Sequence, residues 1–152
     1  MVKMFSETLF NENDAVARQA ALKYLNGIKG YSFIENPNKY DTDLISGNIG
    51  VEVERRSKWH GGNFPYAFVN IPFRKLKQFG GNHPLQNHFI VFNAECSQLV
   101  YISSKTLLEY CQAENAVEIW ADVKGQGWML EKFFRIPLDR CKVIDITAND
   151  NN

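Results

Sequence analysis

"YDTDLISGNIGVEVERRSKW", residues 40 to 59, alternates apolar and polar side chains on either side of the break "SGN" and closes on a run of cations. Alternation with a period of two marks a half-buried strand, and a Ser/Gly/Asn break between two such runs marks a turn. The stretch therefore reads as one strand over 40 to 45, a turn, and a second strand over 50 to 56. Beyond the loop "HGGNFP", "YAFVNIPF" (66 to 73) is a third strand candidate. Consecutive strands joined this closely are expected to pair as an antiparallel meander.

On the second strand, Glu52, Glu54 and Arg56 project to one face while Val51, Val53 and Arg55 project to the other. Two carboxylates one step apart on a face stand about 6.6 Å from each other, close enough to touch one hydrated ion. Magnesium suits such a pair, because it takes oxygen ligands, uses one or two protein carboxylates and keeps several waters. Asp43 lies nine residues before Glu52, and the "SGN" turn would bring it alongside as a further oxygen donor. The bland alternative is an ordinary strand with valines inward and glutamates in water.

The flanking sequence supplies the rest of a domain. "NENDAVARQAALKYLNGIKG" reads as a first helix, capped by Asn13 or Asp14 and ended by Gly27 or Gly30, with Val16, Ala20, Tyr24 and Leu25 at helical spacing. "YSFIENPNKYD" suggests a short strand and a Pro/Asn turn, and "RKLKQFGGN" a helical turn stopped by glycines. "HFIVFNAECSQLVYIS" (88 to 103) holds two strands around a polar turn, the first nearly continuous, as expected where both faces are covered. "SSKTLLEYCQ" opens with a serine cap and places Leu107, Leu108 and Cys111 for packing on that sheet. The last third alternates around "KGQG" as a hairpin with a closing strand. The order predicts a mixed α+β (α/β) domain, a central mixed sheet flanked by helices.

At 152 residues with 45% apolar content, the chain has the length of one domain and the means to bury a core without staples. Its seventeen Lys plus Arg balance seventeen Asp plus Glu, which excludes a general field drawing the molecule to nucleic acid. Any such binding must come from local patches. Arg55, Arg56, Lys58 and His60 form one cluster and Arg74, Lys75 and Lys77 another, unless both are simply solvated element ends.

Cys96, Cys111 and Cys141 are odd in number and form no CxxC pair, so buried thiols are expected rather than zinc or disulfides. His83 and His88 have a spacing that suits no common metal motif. Neither a membrane-length apolar run nor the apolar core of a secretory signal is present, and the expected location is the cytoplasm.

From Asp14 to Leu107 the chain resembles the PD-(D/E)XK nuclease superfamily, most closely its small Holliday-junction resolvases. The matching pieces are the acidic helix start "NEND", "GYSF" after it, the acid with an apolar tail in "DTDLISG", the strand "GVEVERR", the strand and basic turn "FVNIPFRKLKQF", the apolar strand "HFIVFNAE" and the helix opening "SSKTL". The resemblance implies a restriction-endonuclease-like core and metal-dependent cleavage of DNA phosphodiester bonds, with a homodimer as one form of assembly.

Carried over residue by residue, it implies that Asp43, Glu52 and the Val53 carbonyl hold Mg2+ (or Mn2+), with Glu12, or Asp14 nearby, as an outer member. Asp41 competes with Asp43, which is preferred because Leu44 and Ile45 follow it in the family's manner. Where the family carries a lysine two positions after the second acid, this chain has Glu54. Glu54 can take a proton from the attacking water, or it can mark lost activity. It also adds negative charge where a phosphate must sit, so a compensating cation is required. Arg56 is the first candidate, with Lys58 and Lys75 behind it. Arg55, Lys58, His60, Arg74, Lys75 and Lys77 would track the DNA backbone. The rival reading is a catalytically silent module on the same fold that holds nucleic acid or a protein partner; a further one is an unrelated α+β interaction domain.

Overall fold

A computed structural model describes residues 7–123 and 125–146, with residues 7–14 and Val123 described by their backbone alone. Helix α1 (Glu7–Asn26) is followed by β1 (Ile34–Glu35), β2 (Leu44–Ser46), β3 (Ile49–Arg55) and β4 (Phe68–Pro72). A 3-10 turn, Phe73–Lys75, leads into the one-turn helix α2 (Leu76–Phe79). Next come β5 (Gln86–Phe92), β6 (Gln98–Ile102), α3 (Ser104–Tyr110), β7 (Val117–Val123), β8 (Gly127–Pro137) and β9 (Lys142–Asp145).

The architecture is mixed α+β: a six-stranded sheet in the order β1-β2-β3-β5-β6-β9 and a three-stranded sheet in the order β4-β8-β7. In the large sheet β3 and β5 run parallel, and the other neighbours run antiparallel. Helix α1 lays Ala17, Ala21 and Leu25 on one face, against Leu44, Val51, Ile90, Phe92 and Leu99. The small sheet, α2 and α3 cover the other face, where Val69, Ile71, Phe134, Ile136, Phe79 and Leu107 meet Phe89, Val91, Val100 and Ile102. Strand β5 is thus enclosed on both sides over its second half, which is why Phe89–Phe92 is an unbroken apolar run.

The expected hairpin across "SGN" is present, with Leu44 opposite Val51 and Ser46 opposite Ile49, but its first strand is only Leu44–Ser46 rather than 40 to 45, because Asp41 and Thr42 are engaged by His83 and Asn87 instead of a strand partner. The expected meander is not present. Strand β4 leaves the large sheet and pairs with β8, and β3 takes β5 as its second neighbour. The cause lies in the connection after β3, which buries Trp59 and Phe64 between the two sheets. Each such aromatic contributes about 1.5–3 kcal/mol on burial, more than a tight hairpin would recover by leaving both in water.

Helix α1 also starts earlier than expected, so Asn13 and Asp14 lie inside it rather than at its cap. Local propensity is a weak determinant against a continuous helical ladder. The helix ends just before Gly27, and Asn26 closes the following loop by accepting from the Phe33 amide at 2.7 Å and donating to its carbonyl at 3.1 Å. Its buried stripe is 17/21/25; Val16 is exposed, as is Leu108 on α3. Ser103 caps α3 as expected, accepting from the Thr106 amide at 3.3 Å. No helix among the described residues is long and apolar enough to cross a membrane.

Candidate active site

The β2–β3 register sets the acids. Leu44 faces Val51, so the residue pair one step further along, Asp43 and Glu52, stands side by side on the opposite face of the sheet. Strand β2 is only three residues long, and beyond Val51 no strand among the described residues lies beside that β3 edge. Asp43 fills that gap: its Oδ2 accepts the Val53 amide at 2.8 Å. In an extended strand a residue's N–H and C=O point to the same side, so the Val53 carbonyl shares the edge that Asp43 occupies.

Glu52 is almost fully buried, 3% exposed. Burial, together with the neighbouring Asp43 charge, pushes its carboxyl up to about 7 against the downward pull of Lys75. Asp43 is also raised by burial, while the Val53 amide, Lys75 and Arg18 oppose the shift. Two acids brought together under cover with pKa values raised are held against their own repulsion, and a cation between them relieves it. Lys75 answers part of that demand from the turn after β4, placing Nζ 2.7 Å from Glu52 Oε2.

Asp41, the competitor for Asp43, is used elsewhere. Its Oδ1 meets His83 Nε2 at 2.7 Å and the Thr42 amide at 2.7 Å, while His83 Nδ1 accepts from the Leu85 amide at 3.0 Å. This dyad pins the segment before β2 to the loop before β5. A second brace lies inside it: Thr42 donates to Asn87 Oδ1 at 2.9 Å, and Asn87 donates to the Gln78 carbonyl at 2.9 Å. Gly50 makes room, since a methyl there would meet Asn87 and come within 2.8 Å of Thr42 Cγ2.

Comparison with protein-family models, with curated proteins and with solved structures finds no match to this chain.

Glu54 does not join the acids. Its Oε1 sits 2.7 Å from Arg56 Nε, and Arg56 Nη2 donates to the Asn70 carbonyl of β4 at 2.8 Å. The expected convergence of Asp43, Glu52 and Glu54 is thus replaced by a pair of acids plus Lys75. Among the described residues no group of three or more His, Cys, Asp or Glu is placed to hold a metal ion. The Glu12 side chain lies outside the described residues. The donor set that fits a divalent cation is therefore Asp43, Glu52 and the Val53 carbonyl, a count that suits magnesium, which retains water in its remaining positions.

The basic clusters divide. Lys75 is drawn inward, its side chain 20% exposed, instead of standing in solvent as a backbone contact. Arg74 and Lys77 remain exposed. His60 pairs with Glu95 at 3.0 Å. Arg55 and Lys58 line a cleft with Arg56 at the end of β3. Outside the site, His88 Nδ1 accepts from the Ser104 amide at 3.1 Å and contacts the Tyr101 hydroxyl at 2.8 Å, so the ring braces the start of α3. Cys111 is buried, with its thiol pushed up to about 12, in keeping with a packing role.

The sequence places Lys75 behind Arg56 as a compensating cation, whereas in the structure it is Lys75 that reaches Glu52; the contact depends on β4 pairing with β8, which the local pattern does not encode.

Proposed function

We propose that this protein is a metal-dependent DNA endonuclease of the PD-(D/E)XK type in which Lys75 supplies the cation that the motif lacks at position 54. The observation that carries the reading is the Asp43–Glu52 pair, Glu52 buried and Asp43 half-buried beside it, with the Lys75 ammonium 2.7 Å from Glu52. Asp43, Glu52 and the Val53 carbonyl would hold Mg2+ or Mn2+. When bound, that ion supplies charge neutralisation at the scissile phosphate and acidifies an attacking water. Lys75 offsets the negative charge that builds on the phosphate and orients the water; being on the turn after β4, it can shift from Glu52 to the substrate without disturbing β3. Glu54 fixes Arg56, and Arg56 holds β4 through Asn70, so this pair stabilises the floor of the site. The resemblance adds a homodimer to the proposal, and the three free thiols favour the cytoplasm.

A second reading has one observation in its favour. The Lys75–Glu52 contact already neutralises one acid, as a structural ion pair would in a silent nucleic-acid-binding module. One experiment separates the two. Plasmid, single-stranded and branched DNA are incubated with wild type, Asp43→Ala, Glu52→Ala and Lys75→Met in Mg2+, Mn2+ or EDTA. Metal-dependent cutting that all three variants lose supports the nuclease. Equal cutting by wild type and Glu52→Ala removes it, and no cutting with intact binding supports the module.

A further inference from the structure

The end of β3 and the loop after it form a second feature, on the side of Arg56 away from the acids. A cleft of about 240 Å3 is lined by Arg55, Arg56, Lys58, Trp59, Phe64 and Tyr66. Among the described residues, no acidic one lines it. Neither Arg55 nor Lys58 has an ion-pair partner among the described residues.

The aromatics form a graded series from core to solvent. Trp59 is 2% exposed, Phe64 6% and Tyr66 58%. Trp59 meets Phe64 edge-on at 5.2 Å, and Phe64 meets Tyr66 edge-on at 5.7 Å. The exposed ring thus rests on Phe64, which packs in turn on Trp59, both of them buried. The basic run is equally fixed: the Arg56 amide donates to the Phe92 carbonyl at 2.9 Å, the Trp59 amide to the Arg56 carbonyl at 3.1 Å, and the Ala94 amide to the Trp59 carbonyl at 2.7 Å.

We infer that this cleft binds one unpaired nucleotide of a DNA strand, its phosphate between Arg55 and Lys58 and its base stacked on Tyr66. The choice of DNA rests on the nuclease reading above; the choice of an unpaired nucleotide rests on the cleft. A rigid, solvent-facing aromatic beside free cations is the arrangement that holds single strands, because every base offers a π-face and every link a phosphate. A base within a duplex is already stacked on both sides and has no face to offer Tyr66. Arg56 lies four residues beyond Glu52, just past the end of β3 and about 13 Å along it, so a strand seated here continues toward the acids. The substrate class that follows is DNA with unpaired nucleotides next to the cut: flaps, junctions, gaps or single strands.

The test is binding in EDTA, measured by fluorescence anisotropy with a short oligothymidylate, a blunt duplex of equal length and an abasic sugar-phosphate strand. Wild type, Tyr66→Ala, Tyr66→Phe and Lys58→Ala are compared, with melting temperatures to confirm that each folds. The single strand should bind more tightly than the duplex. Tyr66→Ala should weaken it by roughly tenfold or more while Tyr66→Phe stays within about twofold. The abasic strand should not respond to Tyr66→Ala. Lys58→Ala should weaken both strands and flatten the salt dependence by about 0.7 in logarithmic slope. Wild-type affinity in Tyr66→Ala, or an equal loss on the abasic strand, overturns the inference. Because no cleavage is involved, a protein that passes this test and cuts nothing retires the nuclease and keeps the cleft. One that cuts normally without Tyr66 dependence does the reverse.

Discussion

Lys75 Nζ stands 2.7 Å from Glu52 Oε2, although the two residues are separated by 23 positions and Lys75 sits midway along the crossover from β3 to β5. Glu52 is in β3 and Lys75 lies at the end of the turn after β4, which has left for the other sheet. The contact therefore ties the small sheet to the acid pair.

Lys75→Met removes the cation from a buried carboxylate. The loss should be on the order of 1–3 kcal/mol at pH 8, where Glu52 is ionised, and smaller at pH 6, where Glu52 can take a proton instead. Glu52→Gln should lose little stability at pH 8, because it also removes the repulsion with Asp43. Urea denaturation of both variants at the two pH values checks this. An equal loss for Lys75→Met at pH 6 and pH 8 would contradict the coupling.

Divalent cations should stabilise the folded chain without DNA. Stabilisation reaches about 2.7 kcal/mol when the free ion is at a hundredfold excess over its Kd. Asp43→Ala and Glu52→Gln should abolish the increment in melting temperature. The charged groups around the proposed ion site are Asp43, Glu52, Lys75 and Arg18. Glu52 is raised from an ordinary 4.5 to about 7, so the folded state holds a proton that the unfolded state has lost within that window. Its contribution to stability accordingly falls as pH rises from 4.5 through 7, and a metal must displace the proton below 7. Titration calorimetry with Mn2+ should show affinity increasing from pH 6 to pH 8.

His88 acts in the other direction. Burial lowers its pKa, so the neutral ring is the folded form and the unfolded chain takes up the proton first. Stability from this group is present above its ordinary 6.5 and is lost as pH falls through that value toward the depressed folded pKa. His88→Asn offers an oxygen to the Ser104 amide without titrating. The variant should lose less stability than wild type between pH 7 and pH 5, read from the unfolding midpoints.

Gly50→Ala should destabilise by about 1–3 kcal/mol through overpacking, because its methyl would drive into Asn87 and Thr42. The displaced Thr42 is the chain neighbour of Asp43, so cation-induced stabilisation should weaken as well. Thermal melts with and without Mn2+ report both effects.

Much of the local structure is legible in the sequence. The period-two pattern around "SGN" specifies the β2–β3 hairpin, and with it the placement of Asp43 beside Glu52, because a two-residue repeat fixes both face and register once the turn is known. The unbroken run in β5 announces a strand covered on both sides. The serine before α3 announces its cap. Glu54 shares its face with Arg56, the cation the sequence offers first to compensate it, and the two meet at 2.7 Å; what the sequence does not show is that Arg56 is also held by the Asn70 carbonyl from another strand.

The sequence by itself determined which residues face together along each strand and helix, since that follows from backbone geometry repeated every two or 3.6 residues. Only the tertiary structure decided that β4 joins the small sheet, that β3 lies parallel to β5, and that Lys75 reaches Glu52. Those choices depend on which buried surfaces fit, above all Trp59 and Phe64 between the sheets, and a pattern of alternating side chains carries no record of which distant surface will cover it.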